Sequence, residues 1–179
     1  MAKQARKSTL VAAMIGSGYK RGMGAEAIDA RVFDLPDVAA TSALAARVAA
    51  QTRRGDVVTL DGELGSGKTT FARGVITFLC NGPVEVPSPT FTLVQTYSCP
   101  RGTIWHFDLY RLARADEVYE LGIEEAFAEG ISLIEWPARM AALLPHDRLD
   151  VLLSEGAESG HRRAALQGHG DWARRLAKI

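Results

Sequence analysis

A glycine-rich stretch in the first half of the chain carries residue types that bind phosphate. Residues 60–71 read LDGELGSGKTTF, and the spacing of Gly62, Gly67, Lys68 and Thr69 matches the pattern G-x-x-x-x-G-K-[ST] in full. Glycines let backbone N–H groups surround an anion, and the lysine ammonium can reach the outer phosphates of a nucleotide. The threonine hydroxyl is a suitable ligand for Mg²⁺. The stretch therefore predicts a phosphate-binding loop for a nucleoside triphosphate and its metal ion.

The rest of the chain favours ATP over GTP as the nucleotide. Asn81 is the one asparagine in the sequence, and Gly82 follows it, so the guanine-reading motif N-K-x-D cannot occur. ATP and Mg²⁺ are therefore the predicted cofactors. Thr70 is more typical of an ordinary helix residue, although its hydroxyl could reach an α-phosphate. We expect nucleotide contacts from the whole loop, which comprises Gly62, Glu63, Leu64, Gly65, Ser66, Gly67, Lys68, Thr69 and Thr70.

Two acidic residues stand at the ends of predicted strands. Asp108 ends the segment TIWHFD, and Glu135 follows the apolar run ISLI. Ligands of an open α/β sheet bind beyond the carboxyl ends of its parallel strands, so Glu135 would face the loop if its strand lies beside residues 57–60. The alternative is that each acid caps the helix that follows it. Ser88 and Thr90, in a proline-braced loop, could place a hydroxyl near the last phosphate.

The elements that must position these residues follow from hydrophobic periodicity and from turn residues. Two pairs of neighbouring strands are joined by short turns, which makes part of the sheet antiparallel. The fold class is therefore α/β, a three-layer P-loop NTPase fold with a mixed parallel and antiparallel central sheet. We expect strands at 27–35, 57–60, 91–97, 103–108, 131–134, 149–154 and 162–167, and helices at 38–52, 69–79, 115–120, 123–128 and from 171.

Composition is typical of one globular domain. The chain has 179 residues, of which 47% are hydrophobic, and its formal net charge is zero. No global field draws it to nucleic acid or to a membrane, and no apolar run approaches the roughly 20 residues that a membrane span needs. Residues 1–25 hold five basic residues and no acid. We therefore expect residues 1–26 to form a disordered basic extension and residues 27–179 to form a single ATPase domain.

Three further side chains receive ordinary structural interpretations. Cys80 and Cys99 fit no metal or redox spacing, so we expect two reduced thiols in a cytoplasmic protein. His106 alternates along a predicted strand, which favours packing against the sheet over a part in catalysis.

Five segments together resemble one known family in their order and spacing. LDGELGSGKTTFARG, VPSPTFTLVQTY, WHFDLYRL, ELGIEEAF and ISLIEWP are similar to the TsaE family. Its members are small bacterial P-loop ATPases required to form N6-threonylcarbamoyladenosine at position 37 of certain tRNAs. The resemblance covers roughly residues 27–170, and no other P-loop group combines SPTFTL, HFDLYRL and EWP.

The resemblance implies a role for the catalytic and metal-binding residues. Lys68 would bind the ATP phosphates, Thr69 and Glu135 would hold Mg²⁺, and Asp108 would lie near the metal or the attacking water. The predicted catalytic set is therefore Lys68, Asp108 and Glu135.

The resemblance also implies nucleotide contacts from outside the loop. Thr41 matches a threonine in the first long helix that touches the nucleotide in the family. Arg163 is the best match to a basic residue of the late hairpin, and Arg162 lies one step of register away. Trp136 matches the family's tryptophan, although an aromatic wall of the core is an equal interpretation.

The implied function is that of a subunit in a larger assembly. The family's members bind the pair TsaB and TsaD, of which TsaD transfers the threonylcarbamoyl group, and they meet tRNA indirectly. We expect slow ATP hydrolysis by the isolated chain in the cytoplasm, with no membrane partner. The alternatives are a small-molecule or nucleotide kinase, and a nucleotide-gated binding module with negligible hydrolysis.

Overall fold

The computed structural model describes residues 30–179, and all seven of their strands form one sheet. The extension predicted for residues 1–26 lies outside the described residues. The strands are β1 Arg31–Leu35, β2 Val57–Asp61, β3 Val94–Cys99, β4 Gly102–Asp108, β5 Ile131–Glu135, β6 Leu149–Glu155 and β7 Arg162–Gly168. The helices are α1 Val38–Gln51, α2 Lys68–Leu79, α3 Ile123–Glu129 and α4 Asp171–Leu176, with 3₁₀ segments at Ala115–Leu121 and Pro137–Leu143.

The strand order is β1-β7-β6-β2-β5-β4-β3. The central strands β6, β2, β5 and β4 run parallel to one another, while β1, β7 and β3 pair antiparallel. The mixed sheet that the sequence predicts is therefore confirmed. β2 and β5 are parallel neighbours, which meets the condition set for Glu135 and brings the ends of both strands to one edge. In this register Glu135 lies opposite Leu60 on one side and Asp108 on the other.

Helices cover both faces of the sheet, which gives the predicted three layers. On one face α1 and α2 enclose the larger apolar core, in which Phe71 and Val75 are fully buried. Shortening Phe71 to alanine would cost about 3–5 kcal/mol, because the surrounding side chains can close the cavity only in part. On the other face α3 and the two 3₁₀ segments cover a smaller core, which includes Phe107 and Met140.

The two large helices begin in different ways. The side chain of Asp37 caps α1 by accepting a hydrogen bond of 2.7 Å from the N–H of Ala40, which satisfies one of the free donors of the first turn. α2 begins after Gly67 with no side-chain cap. The free N–H groups of α2 therefore remain available at the loop predicted to bind phosphate. No helix within residues 30–179 is both long and apolar enough to cross a membrane.

The segment before β3 differs from the prediction. A strand was expected from Phe91, whereas β3 begins at Val94. The N–H of Leu93 turns back to the carbonyl of Pro89 at 2.6 Å, and Leu93 has a φ of 63°. This turn leaves the Phe91 ring 82% exposed, so its apolar character does not report a buried strand. The 3₁₀ segment after Trp136 was not predicted, although Pro137 at its first position is typical of a helix start.

The expectation of two reduced thiols is wrong in this structure. Cys80 and Cys99 form a disulfide, and their Cα atoms lie 4.5 Å apart. Cys80 directly follows α2, and Cys99 ends β3. Packing of α2 on the sheet brings these two ends together, and a sequence separation of 19 residues does not reveal that proximity.

Candidate active site

The loop between β2 and α2 depends on glycine at two positions. Gly62 has a φ of 137°, and a Cβ atom built there would lie 2.2 Å from the backbone oxygen of Leu153. Any larger residue would therefore push the loop away from β6. Gly67 has a φ of 103°, which lets the chain turn directly into α2. Backbone N–H groups and the positive end of the α2 dipole thus meet at this loop, as an anion requires.

Lys68 is held inside the loop and is only 5% exposed. Its ammonium donates to the carbonyl oxygens of Gly62 at 2.7 Å and Glu63 at 2.8 Å. The same nitrogen lies 3.9 Å from the centre of the Trp136 ring. Burial lowers the pKa of Lys68 below its ordinary value, and the nearby carboxylate of Glu135 opposes this shift. The lysine is thus a partly desolvated positive charge, which interacts strongly with an incoming anion.

Glu135 ends β5, is buried, and contacts the first turn of α2. The hydroxyl of Thr69 donates to Oε1 of Glu135 at 2.9 Å and lies 3.2 Å from Oε2. The 3₁₀ segment that follows has no side-chain cap, so the alternative role of Glu135 as a helix cap is not observed. His106 lies 2.9 Å from the same Oε1 through its Nε2 atom.

Asp108 ends β4, is also buried, and is held by a loop. Oδ2 of Asp108 accepts hydrogen bonds from the hydroxyls of Ser88 at 2.9 Å and Thr90 at 2.7 Å. Oδ1 accepts from the backbone N–H of Tyr110 at 3.1 Å, so the residue also stabilises the turn that follows. Asp108 therefore links the sheet to the proline-braced loop that precedes β3.

These groups surround a cleft of about 300 Å³. The cleft brings together eight of the residues predicted to bind nucleotide or to catalyse: Leu64, Gly65, Gly67, Lys68, Thr69, Thr70, Asp108 and Glu135. Its other lining residues are Ser88, Thr90, Tyr110, Arg111 and Trp136. The loop predicted to bind phosphate, a hydroxyl and two carboxylates therefore converge on one space.

Other predicted contact residues do not line the cleft. Gly62, Glu63 and Ser66 belong to the loop itself, where Ser66 is buried. Thr41 is buried within α1, and its hydroxyl donates to the carbonyl of Asp37 at 3.1 Å. Arg163 instead pairs with Asp34 on β1 at 2.9 Å. The roles of Thr41 and Arg163 at a nucleotide stay predictions.

The neighbour of Arg163 reaches the loop in this structure. A guanidinium nitrogen of Arg162 lies 3.3 Å from the carbonyl oxygen of Gly65. Successive side chains of a strand point to opposite sides, so a shift of one residue along β7 exchanges the two arginines. This contact supports Arg162, the alternative to Arg163, as the arginine that approaches the loop.

A model of the TsaE family, described as threonylcarbamoyl adenosine biosynthesis protein TsaE, matches residues 35–164 of the chain. The chain belongs to the TsaE family. The TsaE protein of Rickettsia conorii is 43% identical over 126 residues, which are 70% of this chain and 71% of that protein. The TsaE protein of Bacillus subtilis is 38% identical over 119 residues, which are 66% of this chain and 73% of that protein. Both relatives are described as tRNA threonylcarbamoyladenosine biosynthesis proteins, so the predicted association with tRNA modification is confirmed at the level of the family.

A solved structure supports the TsaE fold. The crystal structure of YdiB from Bacillus subtilis is 27% identical, with a TM-score of 0.72. The match covers 86% of this chain and 96% of YdiB. The predicted α/β class is therefore confirmed by an experimental neighbour as well as by the sheet.

Sequence reasoning missed three residues around the TsaE cleft. Tyr110 packs against Trp136 with 5.0 Å between ring centres, and Arg111 also lines the cleft. His106 is buried as predicted, yet it also contacts Glu135. One signal was available, because the alternation of β4 puts His106 and Asp108 on the same face of the sheet.

The donor set at the end of the TsaE cleft fits Mg²⁺. Glu135 supplies carboxylate oxygens and Thr69 supplies a hydroxyl beside them, while Asp108 lines the same cleft. Mg²⁺ is typically bound through one or two carboxylates together with phosphate oxygens and water. Thr69 and Glu135 could therefore hold the ion together with a bound phosphate, and the Asp108 carboxylate lies beside them.

Proposed function

We propose that this TsaE-family chain binds ATP and Mg²⁺ in the cleft, hydrolyses ATP slowly, and acts on the TsaB–TsaD threonylcarbamoyltransferase in the cytoplasm. The observation that carries the proposal is the convergence of the phosphate-binding loop, Thr69 and two strand-end carboxylates on one cleft. Family membership supports the link to tRNA modification. In this proposal tRNA is met indirectly, through the transferase.

Each side chain has a defined task in the proposal. The loop N–H groups and Lys68 bind the phosphates, and Thr69 and Glu135 hold the ion. Mg²⁺, when bound, neutralises charge that develops on the phosphates. Asp108 orients the attacking water, because it lies beside Glu135 in the register and accepts hydrogen bonds from Ser88 and Thr90.

Slow hydrolysis by the isolated chain follows from the lining of the cleft. Fast P-loop hydrolases use a glutamine that positions water and an arginine that stabilises the transition state. Of the described residues that line this cleft, none is a glutamine and one is an arginine, Arg111. A partner that completes the site would therefore raise the rate. The alternative kinase requires a lid that closes over a second substrate, and no observation specifically favours it.

The proposal is tested by measuring ATP turnover of the full chain alone and with purified TsaB and TsaD. We expect the pair to raise turnover about tenfold or more, as groups supplied in trans do in other P-loop enzymes. A rate unaffected by the pair would contradict the proposal. ATP consumption that appears only with an added small-molecule acceptor would favour the kinase.

A matched pair of lysine variants checks that the activity belongs to this cleft. Lys68→Ala removes the buried ammonium and should abolish ATP binding. Lys178→Ala makes the same change at an exposed position near the end of the chain and should leave binding unchanged. If ATP binding falls equally in the two variants, the measured binding does not depend on the cleft.

A further inference from the structure

The imidazole of His106 lies beneath the candidate metal site. The side chain is fully buried in β4, and its Nε2 lies 2.9 Å from Oε1 of Glu135. In the parallel register His106 is opposite Leu133, two residues before Glu135 on β5. His106 does not line the cleft, so it touches the carboxylate from within the protein.

The donor and the acceptor of this hydrogen bond can be assigned. An ionised carboxylate only accepts hydrogen bonds, so Nε2 of His106 must be the donor. Nδ1 is buried and has no hydrogen-bond partner. A neutral imidazole carries one N–H, and its placement on Nε2 avoids a buried donor without a partner. The geometry therefore points to the Nε2–H tautomer.

Packing alone does not explain a histidine at this position. A buried polar group is costly unless its hydrogen bonds are made, and here Nδ1 remains unpaired. An apolar side chain such as that of Phe107, the next residue along β4, would fill a core position without this cost. The hydrogen bond to Glu135 is the contact that an apolar residue could not make.

The bond leaves one carboxylate oxygen less engaged than the other. Oε1 of Glu135 has contacts of 2.9 Å from both His106 and Thr69, while Oε2 has the longer contact of 3.2 Å from Thr69. We infer that His106 is a positioning residue, whose Nε2–H holds the Glu135 carboxylate in the orientation that binds Mg²⁺. The part of this inference that concerns Mg²⁺ rests on the proposed function, whereas the hydrogen bond between His106 and Glu135 does not. Groups that orient a metal ligand in this way commonly determine metal affinity.

Two amide variants separate positioning from packing. The amide nitrogen of glutamine can occupy the place of Nε2, whereas that of asparagine stops near Nδ1. His106→Gln and His106→Asn therefore form a matched pair of similar polarity. The measurement is Mn²⁺ binding to the full chain with a non-hydrolysable ATP analogue, followed by electron paramagnetic resonance. Affinity for the analogue is measured separately in EDTA.

We expect His106→Asn to weaken Mn²⁺ binding about 10–100-fold, the usual effect of losing such an orienting group. His106→Gln should stay within about threefold of the wild type, and neither variant should alter analogue affinity in EDTA. Equal Mn²⁺ affinity of wild type and His106→Asn would overturn the inference. So would equal losses in both variants together with weakened metal-free analogue binding, since that pattern reports a packing defect.

A second measurement needs no metal, and it assigns the tautomer in the wild-type chain without any variant. Nitrogen-15 NMR of the full chain reports which imidazole nitrogen of each histidine carries the proton. We expect the Nε2–H form for His106, with signals that move in Glu135→Gln. An Nδ1–H form, or signals indifferent to Glu135→Gln, would overturn the inference. If the wild-type chain fails to bind the analogue at all, the proposed function fails, and the NMR result still decides whether His106 holds Glu135.

Discussion

Asp108 and Glu135 occupy matching positions on adjacent strands and are held by different parts of the molecule. They lie opposite each other in the register of β4 and β5, and both are almost completely buried. Glu135 is held by Thr69 in the first turn of α2 and by His106 in the sheet, so both of its partners belong to regular secondary structure. The side-chain partners of Asp108 are Ser88 and Thr90, which belong to a loop.

This difference indicates how two carboxylates in equivalent positions of the sheet can have different functions. A metal ligand is best held in place before the ion arrives, and partners on a helix and a strand can hold it. A group that connects the site to a loop needs partners on that loop. Glu135 suits the first task and Asp108 the second. The following predictions test this division, from the largest expected effect to the smallest.

Replacing Glu135 should have the largest effect. Glu135→Gln removes a proposed metal ligand, and Mg²⁺ contributes several kcal/mol of charge stabilisation in such sites, so hydrolysis should fall by about 10³-fold or more. Nucleotide affinity in EDTA should be retained. Calorimetry with and without Mg²⁺ checks both statements. Glu155→Gln, at the exposed end of β6, is the matched control. Retained Mg²⁺-dependent turnover in Glu135→Gln would remove the residue from the metal site.

Replacing Asp108 should slow hydrolysis and spare metal binding. Asp108→Asn keeps the shape of the side chain and removes the charge that orients water, so turnover should fall by about 100-fold. Mn²⁺ affinity in the presence of an ATP analogue should change little, in contrast to Glu135→Gln. A loss of metal affinity equal to that of Glu135→Gln would show that both carboxylates are ligands.

Removing the loop hydroxyls should give a smaller effect that depends on Asp108. Thr90→Val keeps the branched shape and deletes the hydroxyl, and with Ser88→Ala it should lower partner-stimulated turnover about tenfold, since hydrogen bonds to a charged group are worth about 1.5–3 kcal/mol. Thr90→Ser is the matched control, because it keeps the hydroxyl. In the Asp108→Asn background the loop changes should add little. If the effects of the loop changes and of Asp108→Asn on turnover are fully additive, the loop hydroxyls act independently of Asp108.

A third carboxylate should affect stability alone. Asp150 lies outside the cleft lining, and burial would by itself raise its pKa. Hydrogen bonds from His169, Arg148 and Thr59 outweigh burial and hold the pKa below the ordinary 3.8. Asp150→Asn should lower the free energy of unfolding at neutral pH by about 1–3 kcal/mol, with turnover within about twofold of wild type.

The pH dependence of the Asp150 effect has a definite sign. A depressed pKa stabilises the folded state at pH values above the unfolded value, and this contribution is lost as the pH falls through the native value. The difference between wild type and Asp150→Asn should therefore be constant at neutral pH and should shrink below pH 3.8. Denaturant unfolding over a pH series measures it. A difference that grows toward acid would contradict the assignment.

Most of the fold could be predicted because its determinants are local. Four buried residues, Val57 to Leu60, form a strand enclosed on both faces, and Asp37 has the chemistry of a helix cap. Predictions were poorer where a turn overrides an apolar pattern. Leu93 adopts a positive φ, so β3 starts three residues later than its apolar residues suggest.

The site could be predicted only in part, because its residues come from distant segments. Thr69 and Glu135 are 66 residues apart, and the family resemblance rather than any local rule suggested their pairing. The contact of Arg162 with the loop depends on the register of β7, and local sequence does not determine that register. The disulfide between Cys80 and Cys99 depends likewise on how α2 packs beside β3.

The sequence by itself determined the glycine-rich loop that is predicted to bind phosphate, since its glycines and Lys68 act through backbone conformation and charge over a few adjacent residues. It also determined that Asp108 and Glu135 end strands. Only the tertiary structure decided that these two acids meet, and that His106 supports one while Ser88 and Thr90 engage the other. The physical reason is that strand order and register bring together groups far apart in the chain, and these depend on the packing of the whole sheet.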